Sequence, residues 1–230
     1  MQNLKVIFED NHIIVVEKPV NIPSQADKTG DIDMLTIIKA YLKEKYNKPG
    51  NVYLGLVHRL DRPVGGVMVF AKTSKSAGRL SNQVREKQFQ KTYLVIVNGK
   101  MENQKGTLQD YLLKNEKTNI SKVVKEGTKN SKLAILDYEV LKYDEELNLS
   151  VLKIKLHTGR HHQIRVQLSS RNHSIYGDQK YGGRGHGKQI ALWAYNLKFY
   201  HPISNELMEF EAMPEMIGSW AILKENCSIS

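Results

Sequence analysis

A carboxylate between two arginines is the group in this chain whose surroundings best suit chemistry. Asp61 lies between Arg59 and Arg62, just before Pro63 and two glycines, a composition typical of a turn rather than of a helix or strand. Nearby positive charge favours the ionised form of a carboxylate, so Asp61 is expected to be charged at neutral pH. Such a group can act as a nucleophile or a general base, although a structural Asx-turn has the same pattern.

Two further side chains could serve this carboxylate. Tyr93 alternates with apolar neighbours, which is also typical of a core tyrosine whose hydroxyl finds a partner. Arg165 lies between Ile164 and Val166. An arginine that faces inward among apolar residues must be paired, because the burial of a lone charge is costly. We assign Asp61 as its partner.

Three histidines and a glycine-rich run point to other chemistry only weakly. His157, His161 and His162 have no Cys or carboxylate at a spacing that suits a metal, so we interpret them as surface or RNA-facing residues. The run at 182–187, Gly-Gly-Arg-Gly-His-Gly, lacks the spacing and the strand–turn–helix context of a phosphate-binding loop. We interpret it as a mobile loop.

Composition narrows the class of protein. The 230 residues suffice for one large domain or two small ones with a sizeable core. There are 34 Lys and Arg against 24 Asp and Glu, a formal charge of +10. This charge favours a polyanionic partner such as nucleic acid, although an excess of lysine can also be a general property of a proteome.

The single cysteine, Cys227, has no partner for a disulfide, which fits a reducing compartment. The first ten residues show no signal peptide, and no stretch reaches the roughly 18 apolar residues of a membrane helix.

The elements that must position these side chains form an α+β pattern. Alternation and turn residues predict a hairpin at the start of the chain, strands on both sides of Asp61 and a meander of antiparallel strands later. The strands are expected at 4–8, 12–17, 53–57, 67–71, 90–97, 108–113, 120–124, 133–141, 147–156 and 207–211, and 190–199 is a strand or a helix. Helical spacing predicts helices at 34–42, from 161 to 168 and near the C-terminus. A further helix is expected to run to about residue 87, with Ser74 or Ser76 as its N-terminal cap.

Several motifs, taken in order, resemble the RluA-like family of RNA pseudouridine synthases. They span nearly the whole chain, and together they are far more specific than any one alone. They are His58-Arg59-Leu60-Asp61 with Gly-Val-Met-Val-Phe-Ala-Lys-Thr at 66–73, Lys91-Thr92-Tyr93, Gly-Arg-His-His-Gln-Ile-Arg-Val at 159–166, Gly177-Asp178 with Tyr181-Gly182, and the segments 10–19 and 197–202. The resemblance implies a mixed, mainly antiparallel central sheet with flanking helices and loops.

The resemblance also implies roles for individual residues. It identifies Asp61 as the catalytic aspartate, Tyr93 as the tyrosine near the target base and Arg165 as the arginine paired with the aspartate. Leu192 matches an apolar position of the base pocket. The remaining residues assigned to substrate binding are His58, Arg62 and Arg160. No metal ligand is expected.

This chain departs from the family pattern at three places. Val64-Gly65-Gly66 stands where Thr/Ser-Ser-Gly is usual, His161-His162 replaces Thr-His, and Gln167 stands where His is common. These departures concern substrate detail more than the reaction. We expect residues 1–230 to form one catalytic domain, with no separate N-terminal RNA-binding domain.

We therefore predict a cytoplasmic, cofactor-free RNA pseudouridine synthase that modifies uridines in ribosomal or transfer RNA. We expect it to be a monomer that does not associate with membranes. Two alternatives stay open: a catalytically inactive RNA-binding module on the same fold, and a nucleoside hydrolase that uses Asp61 and releases uracil. Whether Asp61 acts as a covalent nucleophile or as a base also stays open.

Overall fold

A computed structural model of the chain describes residues 4–182 and 189–224. The chain divides into two compact units. The first unit comprises Met1–Lys91 and Ala194–Met213, and the second comprises Thr92–Trp193 and Pro214–Ser230. Among the helices within the described ranges, none is both long enough and apolar enough to cross a membrane.

The elements follow one another in an α+β order, as the sequence predicts. The strands are β1 Lys5–Glu9, β2 Ile13–Lys18, β3 Gly55–Leu56, β4 Gly65–Ala71, β5 Gln90–Asn98, β6 Lys105–Asn115, β7 Ile120–Val124, β8 Lys132–Asp144, β9 Leu149–Leu156, β10 Leu192–Tyr200 and β11 Leu207–Glu211. The helices are α1 Met34–Lys45, α2 Ser74–Arg85, α3 Gln163–Ser169 and a 3-10 helix at Gly218–Lys224.

The first unit is a sheet in the order β1-β2-β4-β10, with β11 beside β10 and β3 beside β4. All seven residues of β4 are buried, which explains its unbroken apolar run. Gly66 has a φ of +123°, and a Cβ there would lie 2.2 Å from the carbonyl oxygen of Ala194. Only glycine therefore fits where β4 begins. The core contains Ile13, Val15, Val67, Val69, Leu80, Phe89, Leu197 and Phe199.

Helix α2 begins at Ser74, earlier than a cap at either Ser74 or Ser76 implies. Thr73 is extended, and its hydroxyl accepts a hydrogen bond from the Ser76 amide at 3.2 Å. The assignment of Ser74 or Ser76 as the cap is therefore wrong. Ser74 is the first residue of the helix, and the Ser76 amide is one of the donors that the cap satisfies.

The second unit is a sheet in the order β5-β9-β8-β6-β7, so β7 is an edge strand. The pairs β6–β7, β6–β8 and β8–β9 are all antiparallel, which confirms the predicted antiparallel strands. The predicted meander is wrong in its strand order, because β8 pairs with the other edge of β6, so that β6 and not β7 lies in the middle. Helix α3 packs on one face, where Val166 contacts Leu112 and Ala134, and Tyr181 joins this cluster. The mainly antiparallel α+β architecture is confirmed.

Several predicted boundaries differ from those in the structure, and three of these differences have a local reason. The strand expected at 53–57 is reduced to Gly55–Leu56, because only these two residues pair with β4. The strand expected from residue 147 begins at Leu149, after Asn148 with a φ of +50°. Helix α3 begins at Gln163 because His162 has a left-handed backbone. The segment expected at 190–199 as a strand or a helix is a strand, β10, which begins at Leu192 and ends at Tyr200.

Candidate active site

Asp61 lies on a tight turn in the first unit. Its carbonyl oxygen accepts a hydrogen bond from the Val64 amide at 2.9 Å, and β4 begins at the next residue. Ser24 fixes the residue before Asp61, because its hydroxyl donates to the Leu60 carbonyl at 2.9 Å and accepts from the Leu60 amide at 3.1 Å. The predicted turn is confirmed, and its backbone is held from both sides.

Lys18 holds this turn from within the core. The side chain is fully buried, and its ammonium donates to the carbonyl oxygens of Pro19, Arg62 and Val64 at 2.9, 3.1 and 2.7 Å. Burial lowers the pKa of Lys18 to about 7, and the negative charge of Asp61 acts in the opposite direction. Lys18 thus bonds to the backbone of the Asp61 turn and interacts electrostatically with the Asp61 carboxylate.

His58 lies in the core beside the same loop. Its Nε2 accepts from the Val69 amide at 3.2 Å, and its ring lies 5.2 Å from that of Phe89. Burial, with the charge of Lys91 as a smaller cause, lowers the pKa of His58 to about 3. The imidazole is therefore neutral, and its described contacts are structural.

Arg62 extends outward from the turn. Its Nη2 donates to Asp31 at 2.5 Å, its Nη1 to the Thr29 hydroxyl at 3.2 Å and its Nε to the Asn21 carbonyl at 3.2 Å. Arg62 therefore links the Asp61 turn to the loop before α1 while remaining partly exposed.

Arg165 forms a buried ion pair with Asp178 in the second unit. Its Nε and Nη2 donate to the two carboxylate oxygens at 2.8 and 2.7 Å. Burial alone would raise the pKa of Asp178, but the hydrogen bonds and charge of Arg165, with the Lys180 and Tyr181 amides, hold that pKa below its usual value. The predicted need for a carboxylate partner is thus met by Asp178. This residue belongs to the Gly177-Asp178 motif, and no separate role was predicted for it.

Tyr181 connects this ion pair to the neighbouring hairpin. The guanidinium of Arg165 lies 5.1 Å from the centre of its ring. The tyrosine oxygen accepts from the Ser121 amide on β7 at 2.8 Å and lies 2.8 Å from His162 Nδ1. Because the Ser121 amide can only donate, the tyrosine proton is available to His162. Tyr181 therefore orients Arg165 through its ring and contacts β7 through its hydroxyl.

The other assigned residues of the second unit lie on its strands and on the approach to α3. Tyr93 is buried on β5, and Leu192 is buried as the first residue of β10. The preceding carbonyl, that of Ala191, accepts from the Ile96 amide at 3.0 Å, so Leu192 follows a segment bonded to β5. Arg160 is exposed, although its Nε donates to the Leu133 carbonyl at 2.8 Å.

The histidines before α3 have structural partners. The rings of His161 and His162 lie against each other, with centres 3.7 Å apart and planes tilted by 30°, and His161 Nδ1 lies 2.8 Å from the Ser121 hydroxyl. His157 Nε2 lies 2.6 Å from the Asp137 carboxylate on the sheet surface. The described residues contain no cluster of three or more metal-binding side chains. The glycine-rich run at 183–187 falls outside the described residues.

Comparison with known proteins identifies the family. Residues 12–170 match the family model of RNA pseudouridylate synthases. An RNA pseudouridine synthase of Aquifex aeolicus is 34% identical over 221 residues, which cover 90% of this chain and 68% of that protein. Ribosomal large subunit pseudouridine synthase C of Haemophilus influenzae is 30% identical over 216 residues, which cover 90% of this chain and 64% of the relative.

A solved structure shows the same fold. Human RNA pseudouridylate synthase domain containing 1 superposes with a TM-score of 0.75 and 22% identity, covering 95% of this chain and 86% of that one. The chain belongs to the RNA pseudouridine synthase family, whose members are isomerases acting on uridines in RNA. The family resemblance seen in the sequence motifs is thereby confirmed.

Proposed function

We propose that this protein converts uridine to pseudouridine in ribosomal RNA of the large subunit, with Asp61 as the catalytic carboxylate. The observation that carries this proposal is the turn around Asp61, whose flanking carbonyls bind the buried ammonium of Lys18. A catalytic group must be held rigidly by its surroundings. The names of relatives such as the Haemophilus influenzae enzyme support the choice of ribosomal RNA, and transfer RNA is the second candidate substrate.

The reaction requires little beyond one carboxylate. The N1–C1′ bond of uridine breaks, the base turns, and C1′ rejoins at C5. C5 loses a proton and N1 gains one, so the product is an isomer and no electron acceptor is consumed. Asp61 supplies either a nucleophile or a base at the sugar. We therefore propose a reaction that uses no metal or redox cofactor.

Arg165, Tyr93 and Leu192 are proposed to complete the site. Arginine has five N–H donors, of which two bond to Asp178, and the family pattern assigns Asp61 as a further partner of Arg165. A tyrosine stacked on the extruded uracil recovers part of the few kcal/mol that unstacking costs. Leu192 offers an apolar wall to the base.

The remaining residues assigned to substrate binding differ in their exposure to solvent. Arg62 and Arg160 are proposed to contact RNA, because both guanidinium groups reach solvent. His58 is enclosed and neutral, so we propose that it positions the loop before Asp61 instead of touching substrate. We further propose that both units act as one catalytic domain, in a monomer that works in the cytoplasm.

Analysis of the reaction product tests this function. The wild-type protein is incubated with a transcript of large-subunit ribosomal RNA, and the nucleosides are separated after digestion. We expect pseudouridine to appear with no free uracil. Free uracil would identify a hydrolase. RNA binding without either product, on ribosomal and on transfer RNA, would identify an inactive binding module.

A further inference from the structure

Lysines are concentrated along one edge of the second unit. Residues 114–132 comprise the end of β6, the turn into β7, β7 itself and the loop that leads to β8, and we call this segment the lysine-rich arm. It contains six lysines and two glutamates in a chain whose formal charge is +10. The arm therefore carries a disproportionate share of the positive charge.

Most of these lysines are exposed and lack a neutralising partner. Lys114 pairs with Glu116 at 2.5 Å, and Glu126 accepts a hydrogen bond from Tyr111. The other five lysines form no ion pair with any residue that the structure describes. Like charges held close together repel one another, so such a surface favours a polyanion. The five are Lys117, Lys122, Lys125, Lys129 and Lys132.

The inner side of the arm is fastened to the segment that orients Arg165. Ser121 donates its amide to the Tyr181 hydroxyl at 2.8 Å, and its own hydroxyl lies 2.8 Å from His161 Nδ1. Lys180 donates to the carbonyl of Asn119 at 3.2 Å. Side chains alternate along a strand, so while Ser121 faces inward, Lys122 faces solvent. Lys122 is thus presented on the outside of a strand bonded to the Arg165–Asp178 neighbourhood, and the other exposed lysines lie in the segments on either side of that strand.

We infer that the lysine-rich arm binds the phosphate backbone of the RNA that flanks the target uridine. This inference rests on the proposed function, because it takes the substrate to be RNA. Phosphate contacts supply affinity and register without reading sequence. The arm therefore acts on RNA affinity and leaves the rate of the chemical step unchanged.

The same lysines have a plainer explanation that can be separated by experiment. Exposed edge strands often carry lysine because the charge prevents pairing with another chain, and β7 is such an edge. Glutamate at these positions preserves the protective charge but repels phosphate. Charge reversal therefore distinguishes RNA binding from protection of the edge.

The test combines Lys122→Glu, Lys125→Glu and Lys129→Glu in one variant. A control variant combines Lys39→Glu, Lys75→Glu and Lys87→Glu, three exposed lysines of the first unit with the same change in net charge. Both bind a large-subunit ribosomal RNA transcript in a titration from 50 to 200 mM salt. For the arm variant we expect a Kd raised at least tenfold, a log–log salt slope reduced by about 2 to 3, and kcat at saturating RNA within about twofold of wild type.

The outcomes separate this inference from the proposed function. Equal weakening of RNA binding in the arm and control variants, or RNA binding by the arm variant with the Kd and salt slope of the wild type, overturns the inference. Absence of pseudouridine with the wild-type protein overturns the proposed function. In that case the comparison of RNA binding between the arm variant and the control variant still tests whether the arm binds RNA. If the glutamate variant does not fold, the same three lysines changed to glutamine must still reduce the salt slope by about 2.

Discussion

Arg165 and Asp178 form a buried, two-point ion pair, with both carboxylate oxygens bonded to the guanidinium at 2.8 and 2.7 Å. Two parallel hydrogen bonds fix the plane of a guanidinium as well as its position. Asp178 is itself held by the amides of Lys180 and Tyr181. Asp178, which takes no part in the proposed chemistry, therefore sets the orientation of Arg165, the arginine proposed to pair with Asp61.

Asp178→Asn is expected to destabilise the protein strongly. The amide cannot neutralise Arg165, and leaving one partner of a buried pair without its counter-charge costs about 3–5 kcal/mol. Urea denaturation followed by circular dichroism measures this loss. Asp144→Asn, at the exposed end of β8, serves as the control, since asparagine can still accept from the Leu147 amide. A loss below about 1 kcal/mol, the range of exposed pairs, would contradict the described role of Asp178.

The same pair gives stability a defined dependence on pH. The pKa of Asp178 is lower in the folded protein than its usual value. The ion pair therefore contributes fully above the unfolded pKa of about 3.9, and this contribution is lost as pH falls through the folded pKa. We expect the difference in unfolding free energy between wild type and Asp178→Asn to be constant near pH 7 and to shrink below about pH 4.

Lys18→Met is expected to reduce activity without unfolding the protein. The carbonyls around the Asp61 turn lose their common donor, and a displacement of about 1 Å at a reacting group can lower kcat by about 100-fold. Lys72→Met is a matched control, because Lys72 is also buried in the first unit and pairs with Glu9 at 2.6 Å. It should lose stability but retain its rate at saturating RNA. A wild-type rate for Lys18→Met would show that the turn does not need its ammonium.

Lys18 also predicts how stability changes above neutral pH. Its folded pKa is about 7, whereas an unfolded lysine has a pKa of about 10.4. Between these values the unfolded chain binds more protons, so this residue makes stability rise with pH. Below pH 7 Lys18 is protonated in the folded and the unfolded chain alike, so the free-energy cost of burying its charge no longer changes with pH. Unfolding measured from pH 7 to 10 should show a shallower rise in Lys18→Met than in wild type.

Two substitutions at Tyr181 separate the role of its ring from that of its hydroxyl. Tyr181→Phe keeps the ring beside Arg165 but loses the contacts to Ser121 and His162, so KM for RNA should rise while kcat changes little. Tyr181→Leu also loses the cation–π contact, worth about 0.5–2 kcal/mol, and kcat should fall by about 2-fold to 30-fold. Steady-state kinetics measure both constants. An equal kcat for the two variants would rule out orientation of Arg165 by the ring.

Local patterns in the sequence predicted most of the fold. The apolar run of β4, the helical spacing of α1 and the turn residues around Asp61 each act over a few neighbouring residues, and all three elements form where expected. The length of β3 was overestimated, because pairing with β4 and not the composition of residues 53–57 sets where this strand begins and ends. Thr73 was missed as a cap because Ser74 and Ser76 have equally suitable side chains.

Contacts between distant residues account for what was missed at the site. Lys18 is the last residue of an apolar strand and precedes Pro19, and a lysine at such a position is expected on the surface. Its partners Arg62 and Val64 lie 44 and 46 residues away in the sequence, so local patterns do not predict these contacts. Asp178 belongs to one of the family motifs, but only the folded chain shows that it bonds to Arg165. The unbroken apolar run at 13–16, two residues before Lys18, was the signal available in the sequence, because a lysine that continues a buried strand must find acceptors.

The rate of a single turnover by Asp61→Asn tests the central claim most directly. Excess enzyme is mixed with large-subunit ribosomal RNA that carries tritium at C5 of uridine, and the tritium released to water is measured. Asparagine occupies nearly the same volume but is neither a nucleophile nor a base, so we expect the rate to fall by at least about 1,000-fold while RNA binding is retained. Tritium release at the wild-type rate would contradict the assignment of Asp61 as the catalytic carboxylate.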